Sequence, residues 1–132
     1  MISPRFKLGT EEAANLLDGL VSVGISQIHK AKIPKGVYPI LSGVQSGRVR
    51  YERYDPDEHW QSWRELYQQI QERGKARGDC EDLSAAIVAE LTVNGIEART
   101  YTYNSAPGLY HVVVWTRRWG LLDPSRAAGM ED

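Results

Sequence analysis

The chain contains one cysteine, Cys80, set in the run GDCEDL at 78–83. A thiol attacks as the thiolate, so its acidity decides whether it can do chemistry. Asp79, Glu81 and Asp82 surround it with negative charge, which raises a thiol pKa and argues against reactivity. A helix beginning here argues the other way. With Asp79 as N-cap, Cys80 takes the first helical position, where unpaired N–H groups and the helix dipole favour a thiolate. Asp79 and Asp82 then have the spacing of a capping box, with Asp in place of the usual Glu or Gln, and their charge is turned onto the backbone. A base is still needed. His111, in LYHVVVW, is the candidate, and Asp123, in GLLDPS, is the candidate to orient its imidazole. The competing reading is that Cys80 is a small buried hydrophobe, His111 a structural strand residue and Asp123-Pro124 a turn.

The elements that must hold these residues can be read from periodicity. Residues 10–30 predict a helix, with Thr10 as cap, Glu11 and Glu12 in the first turn and His29 and Lys30 in the last, although Gly19 and Gly24 weaken its middle. Residues 33–46, rich in Pro and Gly, predict a loop around short extended pieces, and 49–54 a strand stopped by DPD. Over 59–71, Trp60, Trp63, Leu66, Tyr67 and Ile70 recur at helical spacing and should face a core. A helix from Asp79 stops at Asn94-Gly95. Strands are expected at 97–103, 109–116 and 119–122, the last two joined by a tight turn at Arg117-Arg118. That hairpin puts Asp123 roughly opposite His111 or Val112. Helices first and an antiparallel meander after argue for an α+β fold.

The bulk properties exclude some classes. At 132 residues the chain suggests one domain able to bury a core. Its 42% hydrophobic and 25% charged content is that of an ordinary globular protein. A net charge of −1 gives no basic footprint, so no nucleic-acid partner is expected. No apolar run approaches the length of a membrane span, and no signal-peptide h-region follows Arg5 and Lys7. With a single cysteine, which cannot form an internal disulfide, a cytoplasmic location is expected. His29, His59 and His111 lack metal-ligand spacing.

GDCEDLSAAIVAELTVNGIEA, then HVVVW, then WGLLDPS, together resemble the core of the transglutaminase-like superfamily of papain-like cysteine enzymes. The DCED run is similar to bacterial transglutaminase-like cysteine peptidases. The ending LLDPSRAAGM is similar to small stand-alone versions in bacteriophage and prophage genomes, which allows a virion-associated location. The resemblance covers residues 58–126. Within the one domain expected over 1–132, residues 56–132 are then the core, and 1–55, which lie outside the resemblance, are an N-terminal helix and loop/strand extension to complete the sheet or offer a docking surface. In that core a cysteine-bearing helix packs on a small antiparallel sheet.

The same resemblance implies Cys80 as nucleophile, His111 as general base and acid, and Asp123 as its orienter. The oxyanion hole would use the Cys80 backbone N–H and a side-chain donor from upstream, Trp60 or Gln61. In some bacterial peptidases of this type acidic residues flanking the cysteine bind calcium, and Asp79 and Glu81 match those positions; no other cofactor is expected. The implied activity is acyl transfer on a peptide or carboxamide, foremost as a peptidase or amidase. The alternative is a non-catalytic binding or assembly module, for example within a phage particle, with Tyr101, Tyr103, Tyr110, Trp115 and Trp119 as an aromatic contact surface. The chain departs from the family in keeping only nine residues after Asp123.

Overall fold

The computed structural model describes residues 10–52, 60–107 and 109–130, and the side chains of 10–13, 109 and 110 are not described. The end of the expected strand at 53–54, the DPD stop and His59 lie outside the described residues. The elements run α1 (Thr10–Lys30), α2 (Pro39–Ser46), β1 (Val49–Tyr51), α3 (Trp63–Arg73), β2 (Ala76–Gly78), α4 (Cys80–Val93), β3 (Ala98–Ala106), β4 (Leu109–Thr116), β5 (Gly120–Leu122) and α5 (Pro124–Ala127).

Helix α4 is the centre of the fold. Every residue from Cys80 to Leu91 is buried, as the small and apolar run DLSAAIVAEL allows and as an ordinary one-sided helix would not be. Helix α1 packs along one side of it and the sheet along another. The α1–α4 approach is close at Gly24, where a Cβ would lie 3.0 Å from the Ala89 Cβ. Gly24 therefore costs α1 helix propensity but gives it close packing. The sheet is antiparallel, ordered β3-β4-β5, and Val112 and Val114 of β4 are fully buried. The class is α+β, with the cysteine-bearing helix packed on a small antiparallel sheet.

Several elements differ from the expectation: β3 runs on to Ala106, a one-turn helix follows Asp123, and three further differences are larger. Residues 39–46 form a helix rather than a loop. Pro39 stands in its first turn, and Ile40, Gly43 and Val44 are buried at helical spacing. The reason is distant in sequence: Glu90 of α4 accepts the Ile40 N–H at 2.7 Å and the Leu41 N–H at 3.0 Å, replacing a local cap. Helix α3 starts at Trp63 because Ser62 and Glu65 close a capping box there, so Trp60 and Gln61 precede it instead of lying on it. Trp63 and Leu66 are buried, with Tyr67 and Ile70 packed against the same cluster. Finally, β1 does not extend the antiparallel sheet. It pairs in parallel with β2, an element too short to show a periodic pattern, through Val49↔Ala76, Arg50↔Arg77 and Tyr51↔Gly78.

Glu90 also accepts the Trp63 Nε1–H at 2.8 Å, so one buried carboxyl joins α2, α3 and α4. Burial pushes this carboxyl from 4.5 up to about 7, against the pull of its three donors. The folded chain thus holds the proton more tightly than the unfolded one. The associated stability is full below pH 4.5 and is lost as pH rises through 7. Glu90→Gln should reduce that decline in urea unfolding followed between about pH 5 and 8, leaving the part due to Glu81 and Asp82, whose buried carboxyls are raised as well. Glu90→Ala should cost about 3 kcal/mol or more, because the buried N–H groups of Ile40 and Trp63 and the part-buried one of Leu41 lose their acceptor. An unchanged pH profile in Glu90→Gln would remove Glu90 as the source.

Candidate active site

The start of α4 is built as a double clasp. The Asp79 Oδ1 accepts the Asp82 N–H at 3.0 Å, and the Asp82 Oδ2 accepts the Asp79 N–H at 3.2 Å, closing the capping box. Asp82 is buried and also accepts the Gln61 N–H at 2.8 Å and the Gln61 Nε2–H at 3.1 Å. Burial and the neighbouring Asp79 raise the Asp82 carboxyl, while the donors from Gln61 and Asp79 oppose the rise. Gly78 is needed for this closeness, since a Cβ there would lie 3.0 Å from the Asp82 Cβ and 3.2 Å from the Leu83 Cδ2. The Gly-Asp-Cys order therefore has a steric cause at its first position and a capping cause at its second.

Cys80 occupies the first helical position and is fully buried. It shares a cluster with Leu17, Ala85 and Val112, against which Leu20, Val21 and Trp60 pack. Residues of α1 thus belong to the apolar packing around Cys80. The thiol donates to the Glu81 Oε1 at 3.2 Å. Burial pushes the thiol well above its usual range, the charges of Glu81 and Asp79 push it further, and the Val112 backbone N–H against the sulfur works the other way. Asp79 and Asp82 are caps, as their spacing indicates, but Glu81 turns onto the sulfur. The resting thiol is therefore neutral, and the expected thiolate at a helix start is outweighed.

The sulfur nevertheless lies beside the strand that carries His111. The residue after it, Val112, presents its N–H to the Cys80 sulfur and its carbonyl accepts the Ser84 Oγ–H at 3.1 Å. His111 is 4% exposed. Its Nε2 donates to the Asp123 Oδ2 at 3.0 Å, since a carboxylate can only accept, and Nδ1 is left as the nitrogen able to take a proton. The pairing arises differently from the expected hairpin register. The β4–β5 ladder runs from Thr116↔Gly120 to Val114↔Leu122 and there ends. Asp123 leaves the strand, caps α5 by accepting the Arg126 N–H at 3.2 Å, and reaches back to His111 with its other oxygen. Burial would raise its carboxyl, but the hydrogen bonds from His111 and Arg126 and their charges hold it below the usual value.

The other expected site residues have definite surroundings. Gln61 spends its amide hydrogens on the Arg77 carbonyl, at 2.7 Å, and on Asp82. Its Oε1 accepts from Gln69. It fastens α4 to β2 and α3 and has no hydrogen left for an oxyanion. Trp60 is half-buried on the Cys80 cluster, with its indole nitrogen buried. Glu81 also hydrogen-bonds Asp79, and burial first, with the neighbouring Asp79 after it, raises the Glu81 carboxyl. Among the described residues, no group of three or more His, Cys, Asp or Glu is arranged to hold a metal ion. Among the described residues, too, no helix is long and apolar enough to cross a membrane. The role of Glu81 had no sequence signal, because a residue adjacent to the cysteine can turn either way.

No protein-family profile and no curated protein matches the chain. Among solved structures the chain is similar to a "Putative Cysteine Protease" from Cytophaga hutchinsonii, with 19% identity and a TM-score of 0.44. The match covers 96% of this chain and 46% of that one, so the chain spans less than half of that protein. The likeness is too distant to assign any residue.

Glu81→Gln removes a charge that raises the Cys80 thiol and keeps a group able to accept its hydrogen. Alkylation of Cys80 by iodoacetamide at about pH 8, followed by mass spectrometry, should speed up several-fold, to about tenfold. An unchanged or slower rate would show that burial alone sets the thiol.

Proposed function

We propose that the protein is a transglutaminase-like cysteine enzyme that transfers acyl groups from a peptide or carboxamide, foremost to water. The observation that carries this reading is the 3.0 Å His111–Asp123 hydrogen bond through Nε2, one residue from the strand backbone on which the Cys80 sulfur rests. It leaves Nδ1 to receive the thiol proton and gives the resulting imidazolium a carboxylate partner.

In the proposed cycle Cys80 leaves Glu81, gives its proton to the His111 Nδ1 and attacks the carbonyl carbon. The developing oxyanion takes the Cys80 backbone N–H at the start of α4 and the Trp60 indole N–H. Nδ1 then protonates the leaving amine, and a thioester remains on Cys80. Water, losing a proton to Nδ1, attacks the thioester, and the acid departs as the proton returns to the sulfur. An amine in place of water would give a crosslink. The substrate must displace part of the cover made by Leu17, Leu20, Val21 and Trp60.

A specific observation favours a second reading. Cys80 has no exposed surface and its hydrogen is given to Glu81, as suits a transglutaminase-like module kept for binding or assembly. Alkylation separates the two. An active triad predicts labelling that is lost in Cys80→Ala and slowed about tenfold or more in His111→Ala near pH 7. Equal labelling of the wild type and His111→Ala would dismiss the enzyme and leave the module.

A further inference from the structure

The imidazole of His111 is held at Nε2, and one hydrogen bond fixes one atom of a ring without fixing its plane. A second contact comes from β3. Tyr103 is paired directly with His111 in the β3–β4 ladder. Its ring stands at 85° to the imidazole with centroids 5.8 Å apart, an edge-on packing that aromatic pairs favour. The ladder stays regular through Asn104↔Tyr110 and shifts before Ala106↔Leu109, so Tyr103 is set by regular pairing.

Tyr103 adds little to the core. It is 39% exposed and stands outside both buried clusters, and its described ring contacts are His111 and Tyr101, the latter at 6.1 Å. A large aromatic side chain left half in water, with its ring against an imidazole bound to a carboxylate, has a better account in orientation than in stability. We infer that Tyr103 is a positioning residue: its ring, with Asp123, clamps the His111 imidazole so that Nδ1 keeps one direction.

The inference rests on the proposed role of His111, but part of its test does not. Among the described residues the imidazole meets the Asp123 carboxylate, with Arg126 3.5 Å beyond on the same oxygen, and the Tyr103 ring; Cys80 and Glu81 belong to α4, the helix packed on β4. Of these, Tyr103→Leu changes only the Tyr103 ring, and Tyr103→Phe keeps the ring while removing the hydroxyl. Tyr103→Leu should melt within a few degrees of wild type, yet slow Cys80 alkylation near pH 7 roughly three- to tenfold and displace the acidic limb of its pH profile. Tyr103→Phe should restore both. The ring-proton NMR signals of His111 give a readout independent of reactivity. They should be single and displaced by the neighbouring ring in the wild type and in Tyr103→Phe, and should move and broaden in Tyr103→Leu. If His111→Ala slows alkylation but Tyr103→Leu leaves both rate and NMR signals unchanged, the clamp is wrong and the base stands. If His111→Ala has no effect, the base is wrong, and the NMR signals alone decide whether Tyr103 holds the ring.

Discussion

The carboxylate of Asp82 is the fixture from which the site is built. It receives the N–H of Asp79, which closes the first turn of α4, and two hydrogens of Gln61, which tie that turn to the segment entering α3. Gln61 in turn holds the carbonyl of Arg77 in β2. One buried acid thus sets where the chain turns from strand to helix and hence where Cys80 stands. Its three donors offset part of the cost of burying it, although burial and Asp79 still raise the carboxyl.

Around Cys80, general rules about helix ends compete with particular neighbours. A helix start favours a thiolate, by a modest amount that depends on exposure. Full burial and an adjacent acid disfavour it more strongly, and in this structure they prevail. A working enzyme on this scaffold would therefore be activated by rearrangement, through water or substrate reaching the sulfur or through Glu81 turning aside. The His111–Asp123 pair needs no such change, since its hydrogen bond is already made.

Much of this was legible in the chain. The α1 and α4 boundaries, the strand at 109–116 and the capping role of Asp79 and Asp82 follow from local patterns and agree with the structure. So does the proximity of His111 and Asp123, although it comes through a turn out of the strand and not through a rung of the hairpin. What sequence could not reveal was non-local. Helix α2 is capped by a residue of another helix, β2 is three residues long, and the Gln61 amide is consumed by groups remote in sequence. The direction taken by Glu81 depends on which side of the first helical turn is dry, and this is decided by α1 and β4.

The cap that Glu90 gives to α2 has a consequence for the order of assembly. An eight-residue helix is too short to persist alone in water. Its N-terminal hydrogens find their acceptor on α4, across 49 and 50 residues of chain. Helix α2 can therefore gain stability only after α4 has formed and been covered, which makes it a late-forming unit. It should also be among the first to open in native-state hydrogen exchange. The segment that looked like a loop in the sequence is in this sense conditional structure, a helix on loan from its neighbour.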